Sequence, residues 1–343
     1  MREKDLSLFD VRTDLILDDT IDENTLQLMN YKRRDINKEV VVEEFFIDKD
    51  KKLDYHRAPG YYKSVSFKDI TDSTNFKVVE EAFTDELLSL FKDMEIDDEM
   101  SCLVIGLGNY KSTPDALGPK VAQKIIVTHH LLSFGSLEEG YRDTFSLVPG
   151  VTGSTGIETH AIILGVLEQI KPDFVIVVDA LKTTKTSRMN QIIQISNSGI
   201  APGSGVGNNR VLLSQESLSI PIISIGVPTI IDSVTIVMDT LSYTMKKIGY
   251  EKENMNHSLN KMKISRDYEY YNGTLTDDEK NKILGLVGTL DDSSLRQFIL
   301  EVLNPLDYNF MVTPKEIDFL IDRMAFLLSQ GINKALHKIK RQN

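Results

Sequence analysis

The chain of 343 residues holds one cysteine and no tryptophan. A single thiol, Cys102, excludes an internal disulfide and a cysteine-rich metal site. Its place in the apolar run Cys102–Ile105 reads as a small core residue rather than a nucleophile. The missing tryptophan excludes nothing. Basic residues are too few for a nucleic-acid surface: 39 Lys and Arg stand against 51 Asp and Glu, a formal charge of −12, and phosphate neutralisation needs clustered cations. Nor does any stretch approach the ~20 apolar residues of a membrane span. Residues Met1–Asp10 alternate charge with apolar side chains and lack the core of a secretory signal. A cytoplasmic protein with no membrane and no nucleic-acid partner is expected. The rest is ordinary for a globular chain, 41% hydrophobic and 26% charged.

Three regions differ in pattern. Residues 15–75 carry short β-rich runs, Val40–Ile47 and Tyr61–Phe67, among many charges. From 76 to 250 apolar strands alternate with amphipathic helices. Helical spacing over Val78–Met94 precedes a buried strand, Cys102–Ile105. Helices are predicted from Pro114 or Asp115 through Leu132 and from Thr155 to Ile170. Strands are predicted at Phe174–Val178, Gln191–Ile195 and Pro221–Val227, with a helix at Val234–Ile248. That alternation implies an α/β fold with a mostly parallel sheet and helices on both faces. Sites in such sheets lie at the carboxyl ends of the strands. Residues 251–343 read as a helical region, with helices at Thr276–Leu290, Ser294–Leu303 and Thr313–Leu336.

Two acidic residues stand at the expected carboxyl edge. Asp115 ends a loop that leaves Gly106-Leu107-Gly108, at the start of a helix, where a carboxylate can also serve simply as a cap. Asp179 follows five apolar residues in FVIVVDAL, where its alternative is a bond to neighbouring loop amides. Two aspartates at the ends of two parallel strands can meet. Such a pair can hydrolyse a peptide without metal, because like charges a few ångströms apart cannot both ionise cheaply and one proton is shared. The glycines of Ser196–Arg210 allow a ligand close to the backbone, but neither G-x-G-x-x-G nor a P-loop is spelled out. His129 and His130 are adjacent on a helix and point apart, His160 is isolated, and H-E-x-x-H is missing, so no metal site and no cofactor is expected. Two rival functions use the same residues: a metal-dependent peptidase with the carboxylates as ligands, and a non-enzymatic nucleotide- or peptide-binding module.

The chain resembles the germination protease family of bacterial endospores. The matching stretches are VRTDL (Val11–Leu15), GLGNYKSTPDALGP (Gly106–Pro119), PGVTGSTGIET (Pro149–Thr159), VVDAL (Val177–Leu181) and SGIAPGSGVGN (Ser198–Asn208). The resemblance implies an endopeptidase that degrades small acid-soluble spore proteins during germination, with Asp115 and Asp179 as its catalytic carboxylates. It implies a core similar to the hydrogenase-maturation endopeptidases. Thr113, Gly203, Ser204 and Gly205 become the expected substrate-binding loop residues. It further implies a homotetrameric zymogen in the forespore or spore core that removes its own propeptide, residues 1–14, by cleavage at Asp14-Leu15. Two positions depart from the family pattern: Ile16-Leu17-Asp18 follows Leu15 where a small residue is commoner, and His130 stands where relatives carry arginine.

Overall fold

A computed structural model describes residues 15–16, 28–49, 58–201, 212–254, 273, 275–303 and 310–338. The chain divides into two compact units. One takes residues up to 183, 187–230 and those from 313 onward; the other takes 184–186 and 231–312. The β-rich stretch and the last helix therefore share a unit with the central α/β region.

Among the described residues nine strands form one sheet: β1 (Lys32–Asp35), β2 (Val40–Ile47), β3 (Gly60–Phe67), β4 (Cys102–Gly106), β5 (Thr144–Leu147), β6 (Phe174–Thr183), β7 (Ile192–Ser196), β8 (Ile222–Asp232) and β9 (Met311–Val312). The lateral order is β1-β2-β3-β7-β8-β6-β4-β5, with β9 added on β8. The parallel pairing expected from the sequence holds for β4 with β5 and for β4 with β6. Beyond β8 the sheet turns antiparallel: β8 with β7, β7 with β3, β3 with β2 and β2 with β1. The sheet is mixed for a physical reason. A parallel return needs a crossover of a dozen or more residues, and the connection 184–191 between β6 and β7 carries only a short 3-10 turn.

Helices of the first unit are α1 (Ser73–Asp93), α2 (Leu117–Ala122), α3 (Thr152–Thr155), α4 (Thr159–Ile170) and α5 (Gln215–Leu218), and the second unit carries α6 (Ser233–Asn254), α7 (Asp277–Leu284) and α8 (Asp292–Leu303). The chain closes in the first unit with α9 (Ile317–Leu336). Asp72 caps α1 by accepting from the amides of Thr74 and Asn75, both at 2.9 Å. The stripe Phe76, Val79, Phe83, Leu87 and Leu90 then packs into one cluster with Val104, Ile176 and Val178 of the sheet. Leu117 and Val121 of α2 and Ile321, Met324 and Leu328 of α9 complete that layer. Ile163 and Leu167 of α4 cover the opposite face, against Leu103, Ile105, Val175 and Val177. Helices thus lie on both faces, and every residue of β4 is buried, the pattern expected of a strand covered twice.

In the second unit the end of β8 pairs with β9, Ile231 opposite Val312 and Asp232 opposite Met311. The Asp232 carboxylate accepts from the Thr235 amide at 2.6 Å in the first turn of α6. Asp239 takes both the amide and the hydroxyl of Thr186, at 2.8 and 2.6 Å.

The long helix predicted from 114 to 132 is broken. It becomes a 3-10 turn at Thr113–Asp115, the short α2, and a second 3-10 stretch at His129–Phe134. The β-branched run Ile125–Thr128 lies between the pieces, and Thr128 pairs with β5 instead: its amide donates to the Thr144 carbonyl at 3.1 Å and its hydroxyl accepts from the Thr144 amide at 2.9 Å. The helix predicted from Thr155 begins only at Thr159, because Gly156, at φ 73°, ends α3 in the left-handed region.

Candidate active site

β4 ends at Gly106, opposite Val178 of β6, and the Leu107 amide closes the edge by donating to the Val178 carbonyl at 2.9 Å. Asp179 is the next residue along β6. It does not end its strand, as the apolar run suggested; β6 continues to Thr183, and Asp179 marks the level at which β4 stops. It is buried, 3% exposed, and its Oδ1 accepts from the Ala180 amide at 2.8 Å. Alternation along a strand puts residue 179 on the same face as Val175, Val177 and Leu181, the face covered by α4.

Asp115 reaches this edge through a tight loop. Gly108 has φ 113°, and a Cβ there would lie 2.0 Å from the Asp115 carbonyl oxygen and 3.1 Å from its Oδ1. Only glycine permits that approach. The Asn109 amide then donates to both the carbonyl (3.1 Å) and Oδ2 (2.7 Å) of Asp115. The cap position of α2 is Ala116, which has no side-chain oxygen; the Asp115 carboxylate is clasped by the loop upstream of it. From β8, the buried Thr229 hydroxyl donates to the Pro114 carbonyl at 2.7 Å and fixes the same turn. Nothing in the sequence singled Thr229 out, since a threonine beside an apolar strand reads as β-propensity alone.

The remaining expected residues divide. Thr113 is partly buried in the 3-10 turn with Asp115. Gly203, Ser204, Gly205 and Asp14 lie outside the described residues. Leu15 is fully buried in the cluster that contains Leu107, Val177 and Leu181. Ile16 follows it into a second cluster with Met29, Phe45, Ile47 and Tyr62, and its amide donates to Gln194 Oε1 at 2.8 Å. The segment just after Asp14 is therefore packed on the sheet face that carries Asp179.

Other candidate chemistry is placed elsewhere. His129 pairs with Asp143 at 3.0 Å and stacks on Phe145, and the Asp143 carbonyl accepts from the Cys102 amide at the amino end of β4. A cavity of about 1170 Å³ lined by Asp98, Glu99, Arg142 and Asp143 opens at that end too, away from the two aspartates. Burial pushes the Cys102 thiol far up, so it is no nucleophile. Among the described residues no three His, Cys, Asp or Glu side chains gather as metal ligands, and no helix is long and apolar enough to cross a membrane.

A sequence profile of germination proteases matches residues 13–343. The chain belongs to the germination protease family. Among its relatives is the germination protease of Bacillus thuringiensis subsp. konkukian (strain 97-27), 40% identical over 350 aligned positions that cover 97% of this chain and 95% of that one. The germination protease of Bacillus velezensis (strain DSM 23117 / BGSC 10A6 / LMG 26770 / FZB42) is 43% identical over 281 positions, 79% of this chain and 76% of that one. That of Bacillus cereus (strain 03BB102) is 39% identical over 350 positions, again 97% and 95%. Membership makes this chain an endopeptidase of spore germination with a protein substrate. The resemblance read from the five motifs is confirmed at the level of the family.

Proposed function

We propose that Asp115 and Asp179 are the hydrolytic pair of this endopeptidase. The observation that carries the reading is the clasp of Asp115 onto Gly108 and Asn109, one and two residues past Leu107, whose amide donates to the carbonyl of Val178, the residue before Asp179. In an acid–base pair of this kind the ionised carboxylate takes a proton from the attacking water while the protonated one donates to the scissile carbonyl. The proton then passes to the departing amine. The titration belongs to the pair, and neither aspartate is assigned a fixed role.

The same reading includes a substrate class, the small acid-soluble spore proteins, and a homotetrameric zymogen of the forespore. Residues 1–14 are its propeptide, 15–75 a β-rich region, 76–250 the catalytic core similar to hydrogenase-maturation endopeptidases, and 251–343 a helical region. Thr113 and the loop Gly203-Ser204-Gly205 contact substrate. Burial of Leu15 and Ile16 supports Asp14-Leu15 as the processing junction, since a fragment cut there leaves its new end anchored in the sheet face. Asp115→Asn and Asp179→Asn should each lower cleavage of a spore-protein peptide by at least about 10³-fold while the chain stays folded. Wild-type cleavage should survive exhaustive chelation, and mass spectrometry should record loss of residues 1–14. Full activity in either variant removes that residue from the mechanism.

A further inference from the structure

The lateral run of the sheet ends in two strands of different character. β1 closes one side with Lys32–Asp35, four exposed residues that are all charged, and such charge keeps other chains from adding to an edge. β5 closes the other side, next to β4 and two places from β6. Neither Thr144–Leu147 nor Val148 carries a charge, and Val148 is 40% exposed. Leu147 stands opposite Ile105, and Ile105 opposite Val177, so the end of β5 reaches nearly the height of Asp179. The ladder decides which backbone groups of β5 face outward. The Cys102 amide donates to the Asp143 carbonyl at 2.9 Å, and in a parallel pair alternate residues bond the same neighbour. Asp143, Phe145 and Leu147 therefore face β4, while Thr144, Ser146 and Val148 face away. Thr144 agrees: its carbonyl accepts from the Thr128 amide, and its amide donates to the Thr128 hydroxyl. Past Thr144, no bond among the described residues reaches the outward amides and carbonyls of Ser146 and Val148.

An open, uncharged edge is a template for another chain, and this one lies beside the site. Strand addition binds through main-chain hydrogen bonds, which suits an enzyme whose substrate is a protein. The edge is also held in place before substrate arrives: the Ser146 hydroxyl ties β5 to the end of α2 by donating to the Ala122 carbonyl at 2.7 Å. We propose that the outer edge of β5 docks substrate, an extended segment of the protein to be cut adding itself as a further strand on the backbone of Ser146 and Val148. A strand added there lies three spacings from β6, about 14 Å. An extended chain crosses that distance in about four residues, which sets the gap between the cut bond and the first paired residue. The assignment rests on the two-aspartate peptidase reading, which fixes where the cut bond lies.

Two measurements test it. The first uses wild type and a spore-protein peptide with about eight residues on each side of the cut bond, N-methylated at one amide at a time. Each methyl removes one donor, so kcat/KM should fall about fivefold, the worth of one hydrogen bond. The losses should recur at every second position, beginning about four residues out on one side, and should come chiefly from KM. The second measurement compares the long peptide with one trimmed to about three residues on each side. The ratio of their kcat/KM values, about 20 in wild type, should drop about fivefold in Val148→Pro and less than about twofold in Val148→Ala. Proline at 148 removes an amide hydrogen that β4 does not use, a placement that edge strands tolerate. Circular dichroism reports whether that variant folds, and the methylation scan decides the matter without it. A scan with no two-residue period, losses confined to the residues beside the cut bond, or an undiminished ratio in folded Val148→Pro would each overturn the docking edge and leave the aspartate pair standing. Full activity of Asp115→Asn or Asp179→Asn would strike the pair itself, and this assignment with it.

Discussion

Gly118 sits where α2 meets the closing bond of the β4–β6 edge. A Cβ at this position would lie 2.3 Å from the Leu107 carbonyl oxygen, 2.4 Å from the Val178 carbonyl oxygen and 2.6 Å from the Leu107 nitrogen. Ordinary contacts begin near 3.4 Å, so Gly118→Ala must push α2 about 1 Å off the sheet. All three obstacles are backbone atoms, which cannot rotate aside, and overpacking of this kind costs about 3 kcal/mol, the upper part of its usual range. At 2–4 °C per kcal/mol the melting temperature should fall by roughly 6–12 °C. Because the turn holding Asp115 leads directly into α2, the displacement should carry that carboxylate with it, and a misplacement of about 1 Å can cost on the order of 10²-fold in rate. Circular dichroism gives the first number. Peptide cleavage measured well below the variant's melting point gives the second, free of unfolding. Wild-type values for both would refute the packing argument, and a lowered melting point with undiminished kcat would refute the link between α2 and the site.

Two predictions concern buried charge. Lys63, 2% exposed, holds Ser89 at 2.8 Å, Asp93 at 3.2 Å, Glu86 at 3.6 Å and Glu44 at 3.7 Å. Burial, then Glu44, already pushes the Glu86 carboxyl upward, so Lys63→Met should cost about 3–5 kcal/mol in urea denaturation; a change within about 1 kcal/mol would show the network is solvated. His337 accepts the Arg142 amide at Nδ1 (3.2 Å) and donates from Nε2 to the Ile126 carbonyl (3.1 Å). Burial chiefly, and Arg142 besides, hold its pKa below the usual 6.5. A depressed folded-state pKa means the unfolded chain binds the proton first, so stability should decline as pH falls below about 6.5. The His337→Gln variant should show a shallower decline in urea midpoint between pH 8 and 5.5, and an identical slope would clear His337 of the effect.

The strands that were legible are the apolar runs of β4, β6, β7 and β8, together with β2 and β3 among the charges of the first region. Lys32–Asp35 escaped notice because all four side chains of β1 are exposed and charged, which leaves an edge strand with no apolar period to detect. β5 is four residues long and only its first is buried. The antiparallel run of β7 against β8 was hidden in the short connection from β6 rather than in any residue pattern. At the site, Asp115 was visible from the glycines around it, and Asp179 from the apolar run that it interrupts. What sequence could not supply was what holds the Asp115 turn: Asn109 on its carboxylate, a residue with no catalytic signature, and Thr229 on the Pro114 carbonyl, which reaches it across more than a hundred residues.

Two residues that work as one unit lose their function together, not by increments. Cleavage rates of Asp115→Asn, Asp179→Asn and the double variant therefore test the account most directly, with melting temperatures recorded alongside. Each single variant should be as inactive as the double, within about threefold. A double variant slower than either single one by the product of their separate losses would mean that Asp115 and Asp179 act independently, and the shared-proton chemistry would have to be abandoned.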